Sequence, residues 1–441
     1  MKRKRYSALF IVLAVSLISI SSGLPLSLLC TSVSAGTISG VPQSYLIENV
    51  PYVGQKTNFH CAFASQTMIF QYFGINTSLD EVIYSSGNAY SLYYPEPSKN
   101  HLPIGGYLIS QLPLDLKFLA DIYGLSFSIW WAGNGLEIKD EYWNEYWIRI
   151  KQNISDNIPI STSVDPFDLP SIRNQFDPTD TFWNKRDGGH GIVLIGFNET
   201  NESICYNDPG AGYFGNPEYG TYDWMNLTDF KRAVESTSGT KYLISRFQKI
   251  ADPQPMLKII EKSYVRNIEK LKGNESVYDK LYIDNSSACR FGINASKALK
   301  EDYEKGIQNR IKTLVTYKLH GRFGIKFQLT KFICSYFPWV FDKTFFNCEI
   351  RLQNEFDRIA IEKRIAADVL LNNSDISNIC EYGATLLRQE AENWTKISEY
   401  YNVFMKKGIF LSLPRALLLM NKMADTMDNI IAIEEAIIAG P

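Results

Sequence analysis

The chain has 441 residues, 45% of them hydrophobic and 21% charged. That is too long for one ordinary core and too apolar for a disordered chain, so two globular domains are expected. The formal net charge is −2. No basic excess marks a nucleic-acid partner, and no long single-sign run marks a charged tail. Aromatic residues reach 13% and concentrate between Tyr84 and Trp224, where the main expectation is core packing rather than a polymer-binding groove.

The first residues read as a targeting segment. Lys2, Arg3, Lys4 and Arg5 precede an apolar stretch over about 8–29, and Val33-Ser34-Ala35 offers small residues for cleavage before Gly36. Residues 1–35 are therefore either a signal peptide or an anchor that holds the protein to a membrane through 8–29. Both readings place the rest outside the cytoplasm, extracellular or at the cell surface. Cys30 does not suit a lipid anchor, because Leu29 stands where a small residue is required. Asn-x-Ser/Thr occurs at Asn76, Asn153, Asn198, Asn201, Asn226, Asn274, Asn285, Asn294, Asn372 and Asn393, which agrees with export and glycosylation. Cys289, Cys334, Cys348 and Cys380 either pair into two disulfides or remain buried thiols.

Residues 45–53 read as an extended segment. A helical pattern starts at Cys61 and stops at Gly74. Ser78-Leu79-Asp80-Glu81 has the form of a capping box that opens a second helix. A third helix is expected over 104–123, with Pro113 inside it, and a Trp- and Tyr-rich helix over 141–154. Strands are expected at 158–164, 191–197, 203–207 and 241–247. Helices followed by a mostly antiparallel sheet make an α+β domain over 36–250. Ala251-Asp252-Pro253-Gln254-Pro255 reads as a boundary. Beyond it, helical patterns over 256–271, 295–319, 350–371, 376–405 and 414–438 make an all-α domain spanning 256–441. Leu419, Met423, Met427 and Ile430 recur at helical spacing and read as core.

The residues that carry chemistry lie in the first domain. A nucleophilic thiol needs a lowered pKa, a base and donors for an oxyanion. Cys61 opens a helix, where unpaired N–H groups and the positive dipole end favour a thiolate. Gln55, six residues upstream, can fold back and donate to an oxyanion beside the Cys61 N–H. His190 stands between glycines in Gly188-Gly189-His190-Gly191, directly before an apolar strand. The following strand ends in Asn207-Asp208-Pro209. A hairpin centred near Glu199 sets position 190 opposite 208, so that Asp208 accepts from His190 Nδ1–H and fixes its tautomer.

Taken in order, these segments resemble a known family. Val50-Pro51-Tyr52 with Gln55, then Cys61 and Phe73-Gly74, then Gly189-His190-Gly191-Ile192-Val193-Leu194-Ile195-Gly196-Phe197, then Asn207-Asp208-Pro209, resemble the bacteriocin-processing cysteine peptidases and their free-standing relatives. The resemblance covers about residues 45–250. It implies a papain-like fold with Cys61 as nucleophile, His190 as general base, Asp208 as its orienting partner and Gln55 as oxyanion donor. Ala62-Phe63-Ala64 replaces the Gly-Pro-Ala usual after the family's cysteine. His60-Cys61, Ser65, Tyr72-Phe73-Gly74 and Ser86-Gly87 also resemble the amino-terminal domain of butirosin-biosynthesis acyltransferases, in which the same thiol passes on an acyl group.

No His-Glu-x-x-His, Cys-x-x-Cys or phosphate-binding glycine loop is present, so no cofactor or metal is expected. The expected activity is an exported cysteine peptidase or amidase working through an acyl-thioester on a peptide or amide substrate. The alternatives are a thiol acyltransferase and a silent module that holds a peptide or surface polymer. The sequence specifies no oligomeric state.

Overall fold

The computed structural model describes residues 41–57, 59–95, 115–132, 137–175, 189–213, 215–237, 240–277, 289–301, 303–304, 355–373, 378–407 and 413–441. The expected targeting segment 1–35, Cys30, Cys334 and Cys348 lie outside them. So do 104–114, 305–319 and 350–354 of the expected helices.

The chain divides into two compact units. The described parts of the first run over 41–79 and 116–253. Its elements begin with β1 (Ser44–Leu46) and α1 (Cys61–Tyr72). The next two, α2 (Leu79–Ser86) and β2 (Tyr93–Pro95), lie essentially in the second unit. The first unit resumes with α3 (Leu116–Ile122), β3 (Leu125–Trp131), α4 (Asp140–Ser155), β4 (Ile160–Val164), α5 (Pro170–Arg173), β5 (His190–Asn198) and β6 (Ser203–Asn207). It closes with α6 (Pro209–Tyr213), β7 (Asp223–Asn226), α7 (Leu227–Ser236) and β8 (Leu243–Lys249).

The strands form one antiparallel sheet in the order β3-β8-β4-β5-β6-β7. β1 also pairs with β5, at 196–198, beyond the stretch 190–194 that β4 covers. β5 is thus hydrogen-bonded along both edges, which accounts for its lack of a polar alternation. Ile192, Val193, Leu194, Ile195 and Phe197 are all fully buried. Helix α1 packs on β5 and β4, while α4 packs on β5, β4 and β1. Eight consecutive residues of α1, from Phe63 to Phe70, are buried, so this is an enclosed helix rather than an amphipathic surface one. The aromatic concentration is mostly core, as expected. Tyr146 is fully buried and stacks near Trp143, Phe230, Trp130 and Tyr242.

The second unit takes 80–115 as well as the residues from 254 onward. The span 36–250 read as one domain from sequence therefore contributes a segment to the helical unit. Its remaining elements are α8 (Met256–Leu271), β9 (Cys289–Phe291), a helical stretch from 293, α9 (Glu355–Asn372), α10 (Asn378–Lys407) and α11 (Leu413–Ala439). β2 pairs with β9, and Tyr84, Ala89 and Tyr90 enter one apolar cluster with Ile260, Leu271, Ala366, Leu370 and Leu387. Lys270 donates to the Ser86 carbonyl and Asn267 to the Tyr84 carbonyl. Met423, Met427 and Ile430 are core, as their spacing predicts. Cys380 is a buried free thiol in the same apolar surroundings as Ala384 and Leu387.

Charged side chains are buried in this unit as well. Lys363 Nζ lies 2.8 Å from Glu390 Oε1, both fully buried. Trp394 Nε1 donates to the same Glu390 oxygen at 3.1 Å. Ser296 Oγ donates to the buried Glu434 at 3.0 Å. Burial, reinforced by the charge of Glu390, raises the Glu434 carboxyl to about 8 against the opposing pull of Lys363.

Among the described residues no helix is long and apolar enough to cross a membrane. Two expected glycosylation sites are tied into helices. The Asn393 side chain, 8% exposed, donates to the Gln389 carbonyl, and Asn153 donates to that of Arg149.

The assignment of 80–115 to the helical unit has a direct consequence. A fragment spanning 36–253 keeps Tyr84, Tyr90, Leu92 and Tyr94 but loses the residues that bury them. It is expected to bind an apolar dye and self-associate, whereas a fragment that also replaces 80–115 by a short linker is not. Dye fluorescence and size-exclusion chromatography of the two fragments check this.

Candidate active site

Cys61 is the first residue of α1 and remains partly exposed. His60 precedes it without a side-chain capping bond, and no acidic residue lies in the first turn. The positive end of the helix is therefore left facing the sulfur. The Ala62 and Gly191 N–H groups both point at the thiol. His60 itself is fully buried and sets its ring edge-on to Phe63.

His190 begins β5, opposite Val164 of β4. The residue after it must be small. A Cβ on Gly191 would lie 3.2 Å from Ala62 Cα and 3.3 Å from Ala62 N, so its glycine lets the strand press directly on the start of the helix that carries Cys61. This contact brings the imidazole within hydrogen-bond reach of the thiol.

Asp208 follows β6 and is fully buried. His190 Nε2 lies 2.6 Å from its Oδ1. The same oxygen accepts from the Gly210 N–H at 2.7 Å, and Oδ2 accepts from Ser171 Oγ at 2.6 Å. Its backbone is fixed too: the N–H donates to the Gly220 carbonyl at 2.7 Å, and the carbonyl accepts from the Tyr52 hydroxyl at 3.0 Å. A buried carboxylate is costly unless both oxygens are bonded, and here both are.

The sequence reading brought His190 and Asp208 together by a geometry that differs from the observed one in two respects. The β5–β6 register runs Asn198↔Ser203, which centres the turn between Thr200 and Asn201 rather than at Glu199. A bulge between Leu194 and Gly196 then gives Val193↔Asn207, and continuing that register places Asp208 opposite Ile192. Asp208 is thus diagonal to His190, still within reach of a long side chain. The diagonal approach is made by Nε2, not Nδ1. Nδ1 is the nitrogen left for Cys61.

Gln55 is 7% exposed, and its N–H donates to the Pro209 carbonyl at 3.0 Å. It therefore belongs to the loop cluster that holds Asp208. Its side-chain Oε1 is buried without a hydrogen bond. Three contributors had no role in the sequence reading. Ser171 lies 37 residues from Asp208 in a stretch without a motif. Tyr52 was visible only as part of Pro51-Tyr52. Gly210 was signalled by the Pro209-Gly210-Ala211-Gly212 run, which allows close backbone approach.

The electrostatics of the pair follow from these contacts. Burial works to lower the His190 pKa, but the Asp208 charge and hydrogen bond, with Cys61, raise it to about 10. Burial works to raise the Cys61 pKa, but the hydrogen bond and charge of His190, then the Gly191 and Ala62 N–H groups, bring it below the ordinary thiol value. The two shifts favour a thiolate–imidazolium pair. Among the described residues no group of three or more His, Cys, Asp or Glu side chains could hold a metal ion.

The family model described as Peptidase_C39 like family matches residues 47–242. These residues are similar to that family. The match agrees with the resemblance drawn from Val50 to Pro209, and the mixed helix and antiparallel sheet agree with the expected α+β class followed by a helical region. No curated protein matches the chain. Within the matched residues 47–242, Cys61, His190 and Asp208 are the connected group, and Gln55 borders it through Pro209.

Two outcomes are expected. A Cβ at position 210 would lie 3.0 Å from Asp208 Oδ1 and 3.1 Å from His190 Nε2, so Gly210→Ala should push the pair apart and slow alkylation of Cys61 by iodoacetamide while circular dichroism stays unchanged. The second concerns pH. An ion pair exists above the lowered Cys61 pKa and is lost as His190 deprotonates near 10. Turnover should therefore rise with pH below the ordinary thiol range and fall near pH 10. Asp208→Asn removes the charge that holds the imidazolium, so its alkaline limb should move down towards about 6.5, the ordinary imidazole value. A pH–rate profile of both proteins measures the shift.

Proposed function

We propose that the Peptidase_C39 like domain is a cysteine peptidase or amidase that cleaves an amide bond through an acyl-thioester, outside the cytoplasm. One observation carries the reading. Cys61 stands at the open N-terminus of an enclosed helix, in hydrogen-bond contact with an imidazole whose far nitrogen is 2.6 Å from a fully buried carboxylate. The family match supports a peptidase-like role. Lys2 to Arg5 and the apolar stretch over 8–29 support export.

The reaction follows from the pair. The Cys61 thiolate attacks the substrate carbonyl carbon, forming a C–S bond and an oxyanion. The Cys61 N–H at the helix start and the Gln55 side-chain amide are the donors assigned to that oxygen. The carbonyl re-forms, the C–N bond breaks, and His190 gives its proton to the departing amine. His190 then takes a proton from water as the water oxygen attacks the thioester carbon. The C–S bond breaks, the thiolate leaves, and the acid is released. Asp208 orients the imidazole.

The test is a pair of substitutions. Cys61→Ala should abolish both labelling by an electrophilic thiol probe and hydrolysis, with the fold retained. Turnover that persists in this variant rejects the thiol mechanism. Gln55→Ala should keep labelling yet lower kcat by about 100- to 1000-fold, the usual cost of one oxyanion donor. An unchanged kcat removes Gln55 from the site. Product analysis with an added amine acceptor separates hydrolysis from acyl transfer.

A further inference from the structure

Asp208 does not end the hydrogen-bonded group that starts at Cys61. Its second oxygen, Oδ2, is 2.6 Å from Ser171 Oγ. Ser171 Oγ is 3.2 Å from the Tyr206 hydroxyl, and that hydroxyl is 2.6 Å from Oδ2 of a second carboxylate, Asp223. Ser171 and Tyr206 are buried. Tyr206 and Asp223 are directly opposed cross-strand partners on β6 and β7, so the sheet itself fixes this last link. Asp223 is held at its other oxygen by the Trp224 N–H at 2.9 Å.

We propose that Tyr206 and Asp223 are positioning residues for the cysteine site, acting on Asp208 from behind Ser171, with Tyr206 the donor that holds the Asp223 charge in place. The proposal rests on the reading of Cys61 and His190 as a working thiolate–imidazolium pair.

The direction of the bonds gives the chain its effect. Each hydroxyl has one proton. With Asp223 protonated, its O–H donates to Tyr206, Tyr206 to Ser171, and Ser171 to Asp208 Oδ2. That draws charge to Oδ2, away from the oxygen facing His190. With Asp223 ionised, Tyr206 turns its proton to Asp223, and Ser171 alone serves Asp208. A second negative charge then stands behind Asp208 and strengthens its hold on the imidazolium. Burial and the charge of Asp208 raise the Asp223 pKa, while the bonds from Tyr206 and from the Trp224 and Ser171 N–H groups lower it. The titratable groups facing the chain are His190 and Cys61 at one end and Tyr52 at the Asp208 carbonyl. At the other end, Cys205 lies beside Asp223. Arg173, on the same helix as Ser171, is spent on the Asp168 carbonyl.

The experiment is the pH dependence of Cys61 alkylation by iodoacetamide in the full chain, read by mass spectrometry, which needs no knowledge of the natural substrate. Wild type is expected to react with an inflection below the ordinary thiol value, and His190→Ala to lose that inflection. Tyr206→Phe and Asp223→Asn should each raise the inflection by about 0.5–1 pH unit: Asp223→Asn removes the charge behind Asp208, and Tyr206→Phe removes the donor that keeps Asp223 ionised. The double variant should shift no further than the larger single one, since both remove the same charge. Asp223→Glu should recover part of the shift. Two substitutions at opposite ends of one bond keep the test open if either disturbs folding. An inflection that matches wild type in both single variants, with His190→Ala still altered, overturns the relay and leaves the cysteine reading standing. Shifts that sum in the double variant also overturn the relay. A wild-type inflection at the ordinary thiol value, indifferent to His190→Ala, overturns both.

Discussion

The site depends on one buried carboxylate. Asp208 has no exposed surface, so its charge persists only because each oxygen is bonded within the protein. Those bonds come from three separate segments, β5, the start of α6 with Gly210, and α5. A fourth, 52–55, is fastened to the same turn through Tyr52 and Gln55. The carboxylate therefore does two things at once. It sets the charge on His190, and it gives four stretches of chain a shared point of attachment. The sheet fixes the position of β5 independently, since β4, β1 and β6 line both of its edges.

Close backbone approach is the second requirement. Gly191 lets β5 rest on the first turn of α1, and Gly210 lets the start of α6 run past the imidazole. A side chain at 191 would press on the Ala62 backbone, and one at 210 on Asp208 and His190 themselves. The sulfur thus sits where a strand end, a helix start and a loop converge, with N–H donors supplied by backbone rather than by mobile side chains. Such donors need no reorganisation as charge develops.

Much of this was legible in the sequence, for physical reasons. Cys61 at a helix start followed from the apolar pattern that ends at Gly74, and His190 stood out because glycines flank it before an apolar run. Asp208 was reachable by reasoning about a hairpin, yet the geometry came out wrong. A bulge at Leu194–Gly196 leaves no trace in a run of apolar residues, since buried strands lack the alternation that would reveal a slip. Ser171 was invisible because its link to Asp208 is tertiary and its local sequence is ordinary. β3 was missed because residues 125–131 are mostly half-buried and show no clean alternation. The membership of 80–115 in the helical unit was hidden for a related reason. Local pattern gives Tyr84, Tyr90 and Tyr94 as apolar but does not say which core receives them.

The buried Lys363, Glu390 and Glu434 give the helical unit a different character. One cation faces two carboxyl groups, and Glu434 keeps its proton at neutral pH. In the unfolded chain a glutamate titrates near 4.3 and would be ionised. Folding of this unit therefore takes up a proton from solvent at pH 7. Linkage fixes the sign: stability drains away as pH climbs from the unfolded value through about 8. The same arithmetic constrains inheritance. Replacing Lys363 or Glu390 alone leaves a stranded charge in the interior, whereas replacing Glu434 leaves only the Ser296 hydroxyl without its acceptor. Among descendants of this sequence Lys363 and Glu390 should change together, giving way to apolar residues as a pair or not at all.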